Sequence, residues 1–458
     1  MIAVSSSPST PHRRVLFVAY TFPPVGGAGV QRTTKFVKYL PQFGWDASVL
    51  TVSNPSVPLH DESLCHDVSP ATRVVRARTL EPSYRTKATI TATGAKGSAG
   101  HRLSRLVRKA VVGALQPDPQ VLWNFPAFAA GFRLLRQVPH DAIVATAPPF
   151  SSLLLGAALS AITSIPLVMD YRDEWGVSHK YWENRQIGRI STAAQRVMER
   201  FGLRRARAVI ATSPRSGRAL EALCRSARSS ASVTHIFNGF DPDDFDSNQR
   251  IDSRPANGRW RLVYTGTLYN LMSPEPLVQA METLISQRPD LADRIEIVFA
   301  GRHAPEQSLR LGRLTRLCRL ATLEYVSHAD AIALMRSADA LCVLLSDLPG
   351  AERVIPAKVF EYIASARPIL AIAPRGDVWD LLRAHPGALV CAPHDVGGIA
   401  DWIARSVENR CWQRPQDFVD TRPFNRRAQA QQLASLLDQL TGPRWGPRLP
   451  ITEDACSA

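Results

Sequence analysis

Short apolar runs of strand length alternate with segments of helical period along most of the chain, and this alternation constrains the fold more than any other feature. The first run is Val15-Leu16-Phe17-Val18-Ala19. A glycine turn, Gly26-Gly27-Ala28-Gly29, leads from it into a helix with Val30, Phe36, Val37 and Leu40 on its apolar side. Further strands are expected at 47–52, 142–145, 167–169 and 208–211. After Asn238-Gly239-Phe240-Asp241 the pattern pauses over a polar stretch, 242–259. It then restarts with a strand at 261–264, a helix at 275–287, and strands at 295–300, 340–345 and 368–373. Continuous apolar strands separated by helices mean a parallel sheet covered on both faces. Two such runs imply two α/β domains, which suits a chain of 458 residues, too long for one ordinary core. The expected organisation is a disordered start (1–13), a first Rossmann-like domain (14–241), a linker (242–259), a second Rossmann-like domain (260–423), a closing helix (424–441) and a loose tail (442–458).

Charge and cysteine usage narrow the class. Lys and Arg number 55 against 40 Asp and Glu, a formal charge of +15, which favours anionic partners: phosphorylated substrates, an acidic membrane face or nucleic acid. No basic stripe interleaved with aromatics is present, so nucleic acid is not expected. The seven cysteines are scattered and form no Cys-x-x-Cys, which argues for a reducing compartment and against a zinc site. Residues 1–10 lack the basic and apolar parts of a signal peptide, so a cytoplasmic location is expected. Phe150 to Met169 is an uncharged run of membrane-spanning length. Pro148, Pro149 and Pro166 bracket it and serines dilute it, so it reads as a buried helix followed by a strand. Residues 102–111 place Leu103, Leu106, Val107, Ala110 and Val111 on one helical face and Arg102, Arg105, Arg108 and Lys109 on the other. Beside an expected mobile loop at 81–101, that helix is a candidate for peripheral contact with an anionic membrane; a solvated helix packed on its own domain is the alternative.

Five site signals follow the strands. Gly26 and Gly27 let the backbone approach a ligand at a helix start, but lack the dinucleotide and Walker spacings. Asp170-Tyr171-Arg172-Asp173 ends an apolar strand, where open α/β sheets bind ligands and where charged groups orient hydroxyls or accept a proton. Asn238 and Gly239 stand where the chain crosses between domains; Thr265-Gly266-Thr267 and Gly301-Arg302 are small-residue loops suited to phosphate or ribose. The strongest signal is Pro356-Ala357-Lys358-Val359-Phe360-Glu361-Tyr362. Lys358 and Glu361 are three apart and share a helical face: the ammonium can neutralise a diphosphate and the carboxylate can accept two ribose hydroxyls. Pro356 starts that helix and aims its free N–H groups at an anion.

Phe22-Pro23-Pro24 with Gly26-Gly27, Asn238-Gly239-Phe240-Asp241, and Pro356, Lys358, Phe360, Glu361 and Tyr362 together resemble the family 4 retaining glycosyltransferases of GT-B fold, over roughly 14 to 440. Arg172-Asp173-x-Trp175 and Tyr264-Thr265-Gly266-Thr267-Leu268-Tyr269 resemble the branch associated with bacterial surface polysaccharides. The resemblance implies two Rossmann-like domains facing a central cleft, with the C-terminal helix crossing back to the first domain. It implies a nucleotide-sugar donor held by Asn238, Gly239, Thr265, Gly266, Thr267, Gly301, Arg302, Lys358 and Glu361, the last on the ribose. The acceptor, a glycan or polyprenyl-linked saccharide, would lie near Gly26, Gly27 and Asp170, and Asp173, Arg172 and Lys358 are the candidate catalytic groups. No metal or cofactor is implied, since helix dipoles and basic side chains can stabilise the leaving diphosphate. Three departures stand out. The position eight before Glu361 is Arg353, where the family often has glutamate, with Glu352 beside it; the segment after the first strand of the second domain carries no Lys or Arg; and the family's histidine near the sugar is not visible. Nucleotide-sugar 2-epimerases share this architecture, and a non-catalytic nucleotide-sugar-binding partner would also fit the departures.

Overall fold

The computed structural model describes residues 12–57, 60–82, 115–181, 188–246, 258–383, 385–409 and 421–442. Seven strands form a first sheet: β1 (Arg13–Val18), β2 (Trp45–Val52), β3 (Arg73–Ala77), β4 (Ala142–Ala147), β5 (Leu167–Tyr171), β6 (Ala208–Ala211) and β7 (Ser232–His235). Their order is β3-β2-β1-β4-β5-β6-β7. Six form a second: β8 (Trp260–Thr265), β9 (Ile295–Ala300), β10 (Arg319–Leu323), β11 (Ala340–Leu344), β12 (Ile369–Ile372) and β13 (Ala388–Cys391), in the order β10-β9-β8-β11-β12-β13. Every pairing is parallel, as in Val15 opposite Ala142 and Val263 opposite Leu341. Strand order reverses between β1 and β4 and between β8 and β11. Connections leave in opposite directions at those points, so a crevice opens beyond the carboxyl ends of the strands.

The central strands are the ones the apolar runs announce. The edge strands β3, β7, β10 and β13 are not, because each is partly exposed and a half-covered strand needs no continuous apolar run. The run of membrane-spanning length divides as its prolines require, into a helix Ser151–Thr163 and the strand β5. Among the described residues no helix is long and apolar enough to cross a membrane. Apart from residues 81 and 82, the loop expected at 81–101 lies outside the described residues, as does the basic helix expected at 102–111.

The polar stretch expected as a linker begins instead with a helix, Pro242–Asp246. Its acids are tied to the first domain. Asp243 receives Lys38 at 2.7 Å and Asp244 receives Lys35 at 3.3 Å, beside Asp241, which receives both lysines. The last helix, Arg426–Thr441, returns to the first domain, where Ala430, Leu433, Ala434 and Leu437 are buried among Val15, Phe17, Val144 and Val168. Leu433 and Leu437, fully buried, each contribute about 2 kcal/mol. The return is stitched by backbone: Phe240 N–H donates to Phe424 O and Arg426 N–H to Phe240 O, both at 3.0 Å.

Candidate active site

At the end of β8 and β9, two glycine loops meet. Gly266 (φ +115) donates its N–H to Ala300 O at 2.7 Å, and Gly301 (φ +135) lies so close that a Cβ there would come within 2.3 Å of Gly266 O. Both positions need positive φ, which glycine adopts without steric cost, and the result is a pair of closely packed, half-buried glycine loops at the strand ends. Thr265 is buried, its N–H donating to the Tyr362 hydroxyl at 2.9 Å. That bond fixes the helix Lys358–Ser365 against the end of β8. Thr267 continues the loop, its carbonyl accepting from Tyr264 Oη at 3.1 Å, and Arg302 is exposed beyond Gly301.

Lys358 turns back over this loop. A Cβ on Gly266 would stand 2.9 Å from its Nζ, and the Nζ lies 3.6 Å from the centroid of the Tyr264 ring, a cation–π distance. The Nζ is buried and has no hydrogen-bond partner. Desolvation therefore pushes its pKa down to about 7. One turn on, Glu361 is partly exposed and its Oε1 is 4.0 Å from His328 Nδ1. Burial raises the Glu361 pKa, against the pull of His328, Arg426 and Lys358.

Across the crevice, the Asp170–Asp173 cluster divides its labour. Asp170 is buried and takes Arg32 on both oxygens, at 2.9 to 3.1 Å, with the Thr146 hydroxyl at 3.0 Å. Arg172 is pinned by the carbonyls of Ala147, Pro148 and Gly29. Asp173 is the exposed member of the three; its charge reaches Tyr269, on the loop after β8. Glu174 next to it clasps Arg353 of the second domain through two bonds, 2.8 and 3.0 Å. Arg353, which stands where the family often has glutamate, is thus an interdomain clasp. Glu352 accepts from the Gly350 N–H at 2.8 Å and from Arg353 at 2.7 Å. A second clasp joins Arg215 to Asp377 at 2.8 Å and to Asp380. A small interdomain pocket beside that clasp, lined by Pro214, Phe237, Ile355 and Leu381, includes neither Lys358 nor Glu361.

The remaining sequence candidates are placed as follows. Gly27 (φ 108) precedes the helix Ala28–Tyr39, and Gly26 faces the second domain: a Cβ there would come 2.8 Å from Tyr325 Oη. Tyr325 itself donates to Asp61 at 3.1 Å. Asn238 and Gly239 stand at the crossover, where Asn238 O accepts from Gln429 at 2.9 Å and a Gly239 Cβ would come 2.1 Å from Phe424 O. Arg32 and His328 were not singled out by sequence reasoning, and Tyr264 only as part of a segment, with no role. Only His328 carried a local signal, as the first residue of a helix capped by Ser327 onto the Asp330 N–H.

Two family models match the chain: a glycosyl transferase 4-like domain over residues 26–233 and glycosyl transferases group 1 over residues 259–409. Solved structures share the fold end to end. Anabaena HepE in complex with UDP and glucose is 17% identical, with 94% of this chain and 98% of that chain covered and a TM-score of 0.55. The α,α-trehalose 6-phosphate synthase of Burkholderia multivorans is 12% identical over 94% and 99%, with a TM-score of 0.60. A UDP-N-acetylglucosamine 2-epimerase candidate from Listeria monocytogenes is 10% identical over 94% and 97%, at 0.50. No curated protein matches the sequence. With one domain model on each sheet and both sheets arranged as in these structures, the chain belongs to the GT-B glycosyltransferases, a glycosyl transferase 4-like domain followed by a group 1 domain.

Proposed function

We propose that the protein is a retaining glycosyltransferase that moves a sugar from a nucleoside-diphosphate donor to a lipid-linked or polysaccharide acceptor in cell-surface polysaccharide synthesis. The observation that carries the reading is the Lys358 ammonium, buried without a hydrogen bond against the Gly266 loop, one helical turn from Glu361. A buried cation is costly unless it meets an anion, and a diphosphate seated against the Gly266 and Gly301 loops would meet it. Glu361 then accepts the ribose hydroxyls. The bond from the anomeric carbon to the phosphate oxygen breaks, the acceptor oxygen bonds to the same face, and the acceptor proton passes to the departing phosphate. Lys358 and the N-terminus of its helix stabilise the charge that develops there. Asp173, exposed opposite, orients the sugar or the acceptor hydroxyl. This reading asks for no metal. HepE and the Listeria protein are described with UDP or a UDP-sugar, which supports a nucleotide-sugar donor.

The acceptor part of the reading draws on the helix Arg189–Arg205. Ile190, Val197 and Phe201 are 87%, 66% and 52% exposed. Spaced by seven and four residues, they lie within about 40° of one another around the helix. Arg189, Arg196, Arg200, Arg204 and Arg205 flank them, all exposed. An outward apolar stripe bordered by arginines suits the surface of an anionic bilayer, where a lipid-linked acceptor would be met.

The test is incubation with labelled UDP-, GDP- and dTDP-sugars, with and without lipid-linked saccharide acceptors. Transfer to acceptor with retained anomeric configuration, reduced at least a hundredfold in Glu361→Ala by loss of charged hydrogen bonds, is expected. Conversion of the donor alone to another nucleotide sugar would instead identify an epimerase. Donor binding equal in wild type and Glu361→Ala would remove the site assignment.

A further inference from the structure

Glu361 does not stand alone, and the groups behind it lead out of its own domain. His328 opens the helix His328–Ser337, and its ring lies between two carboxylates: Nε2 is 3.1 Å from Asp244 Oδ2, and Nδ1 is 4.0 Å from Glu361 Oε1. Asp244 belongs to the short helix after Asp241 and is also held by Lys35, from the first helix of the first domain. Lys35 further contacts Asp67 and Asp241, each at 2.6 Å. The backbone of His328 is held from the same side, because its N–H and the Tyr325 hydroxyl both reach Asp61. Asp244, anchored on the first domain's Lys35, and first-domain Asp61 thus fix the ring and the main chain of a second-domain residue that stands 4.0 Å from Glu361.

We propose that His328 is a positioning residue: it holds Glu361 in the orientation that grips the donor, and makes that grip depend on the first domain being seated. The inference rests on the reading that Glu361 binds the donor ribose. Charge balance favours the protonated ring. The carboxylates Asp67, Asp241, Asp243 and Asp244 gather around Lys35 and Lys38, and Glu361 adds another negative charge on the far side of the ring. The groups facing His328 are Asp244 and, behind it, Lys35, together with Glu361 and Asp61. Burial disfavours the imidazolium, but the Asp244 hydrogen bond and the Glu361 charge outweigh burial and the opposing Lys35, and the pKa lies above its ordinary value. A carboxylate beside an imidazolium stays ionised and directed. When the ring loses its proton, Glu361 is left partly buried with one fewer cation. The share of donor affinity that depends on this contact should therefore be full at pH values below the raised His328 pKa and should weaken as pH rises through it, beside the separate dependence that Lys358 brings.

The experiment is calorimetric titration of UDP, GDP and dTDP into wild type, His328→Ala, His328→Gln and Asp244→Asn between pH 6 and pH 9. Whichever nucleotide binds wild type should bind His328→Ala about tenfold more weakly at pH 6, a coupling of ordinary size between linked sites. The alkaline weakening should be shallower in both His328 variants, which keep only the part due to Lys358, and its His328 part should move to lower pH in Asp244→Asn. Donor KM should rise more than kcat falls. In parallel, the His328 ring resonance of the wild type should titrate at higher pH once nucleotide is bound. A wild-type pH profile in His328→Gln, or a ring titration indifferent to nucleotide, overturns the inference while leaving the functional reading intact. If none of the three nucleotides binds wild type, the functional reading and this inference fall together.

Discussion

Replacing Lys358 by Met should make the protein more stable and unable to hold its donor. Burial lowers the lysine pKa from 10.5 to about 7, and each pH unit of such a shift is worth about 1.4 kcal/mol. Keeping the ammonium charged in the fold therefore costs on the order of 5 kcal/mol relative to the unfolded chain, part of it returned by the Tyr264 ring. The sign follows from proton counting. Below pH 7 the lysine is charged in both states and the whole penalty applies. Between pH 7 and 10.5 the folded chain has released the proton while the unfolded chain retains it, so stability rises with pH. Lys358→Met removes the penalty and its slope. It should stabilise by roughly 4 kcal/mol at pH 7 and about half of that at pH 9. Urea unfolding reports this through Trp260, packed edge-on to Trp402 in the core of the second domain. The same lysine should take up a proton when a nucleoside diphosphate binds at pH 8.5, seen as a buffer-dependent binding enthalpy that the variant lacks. A variant no more stable than wild type, or a stability gap that is equal at pH 7 and pH 9, would refute the argument.

Two further expectations concern the frame. Gly239→Ala brings a methyl group to within 2.1 Å of Phe424 O and 2.4 Å of Gln429 Nε2, so the returning segment must shift; a loss of about 3 kcal/mol and faster proteolysis near residue 424 are expected, and wild-type resistance would contradict this. Ile190→Ser, Val197→Ser and Phe201→Ser together should abolish flotation with anionic liposomes at low salt while leaving nucleotide binding unchanged. Undiminished flotation would remove that helix from the membrane reading.

What could be read from the chain depended on whether a residue's partner was local. Lys358 and Glu361 are three apart on one helix, so their shared face was legible, as was the helix 275–287, whose period matches its burial. Arg32 pairs with Asp170 and Lys35 with Asp244, contacts that exist only once β5 and the crossover are in place. Nothing near Arg32 or Lys35 in the sequence marks them as different from solvated helix charges, and yet both are almost wholly buried. Asn238 and Gly239 were legible as a signature, but their immediate contacts are with the returning chain at Phe424 and Gln429. Arg353 broke the expected spacing; its partner, Glu174, lies on the other domain, and no reading along one segment could supply it.

The returning helix has a consequence for how the protein is made. Residues 13–246 emerge from the ribosome well before Arg426–Thr441, and until that helix arrives, Val15, Phe17, Val144 and Val168 lack the Ala430, Leu433, Ala434 and Leu437 side chains that cover them. The first domain to be translated is thus the last to be finished. During synthesis of the second domain it carries an uncovered apolar face, a surface that chaperones and proteases recognise. A ribosome that stalls anywhere in the second domain leaves that face open, so the cell has a physical mark separating nascent chains that reached the closing helix from those that did not.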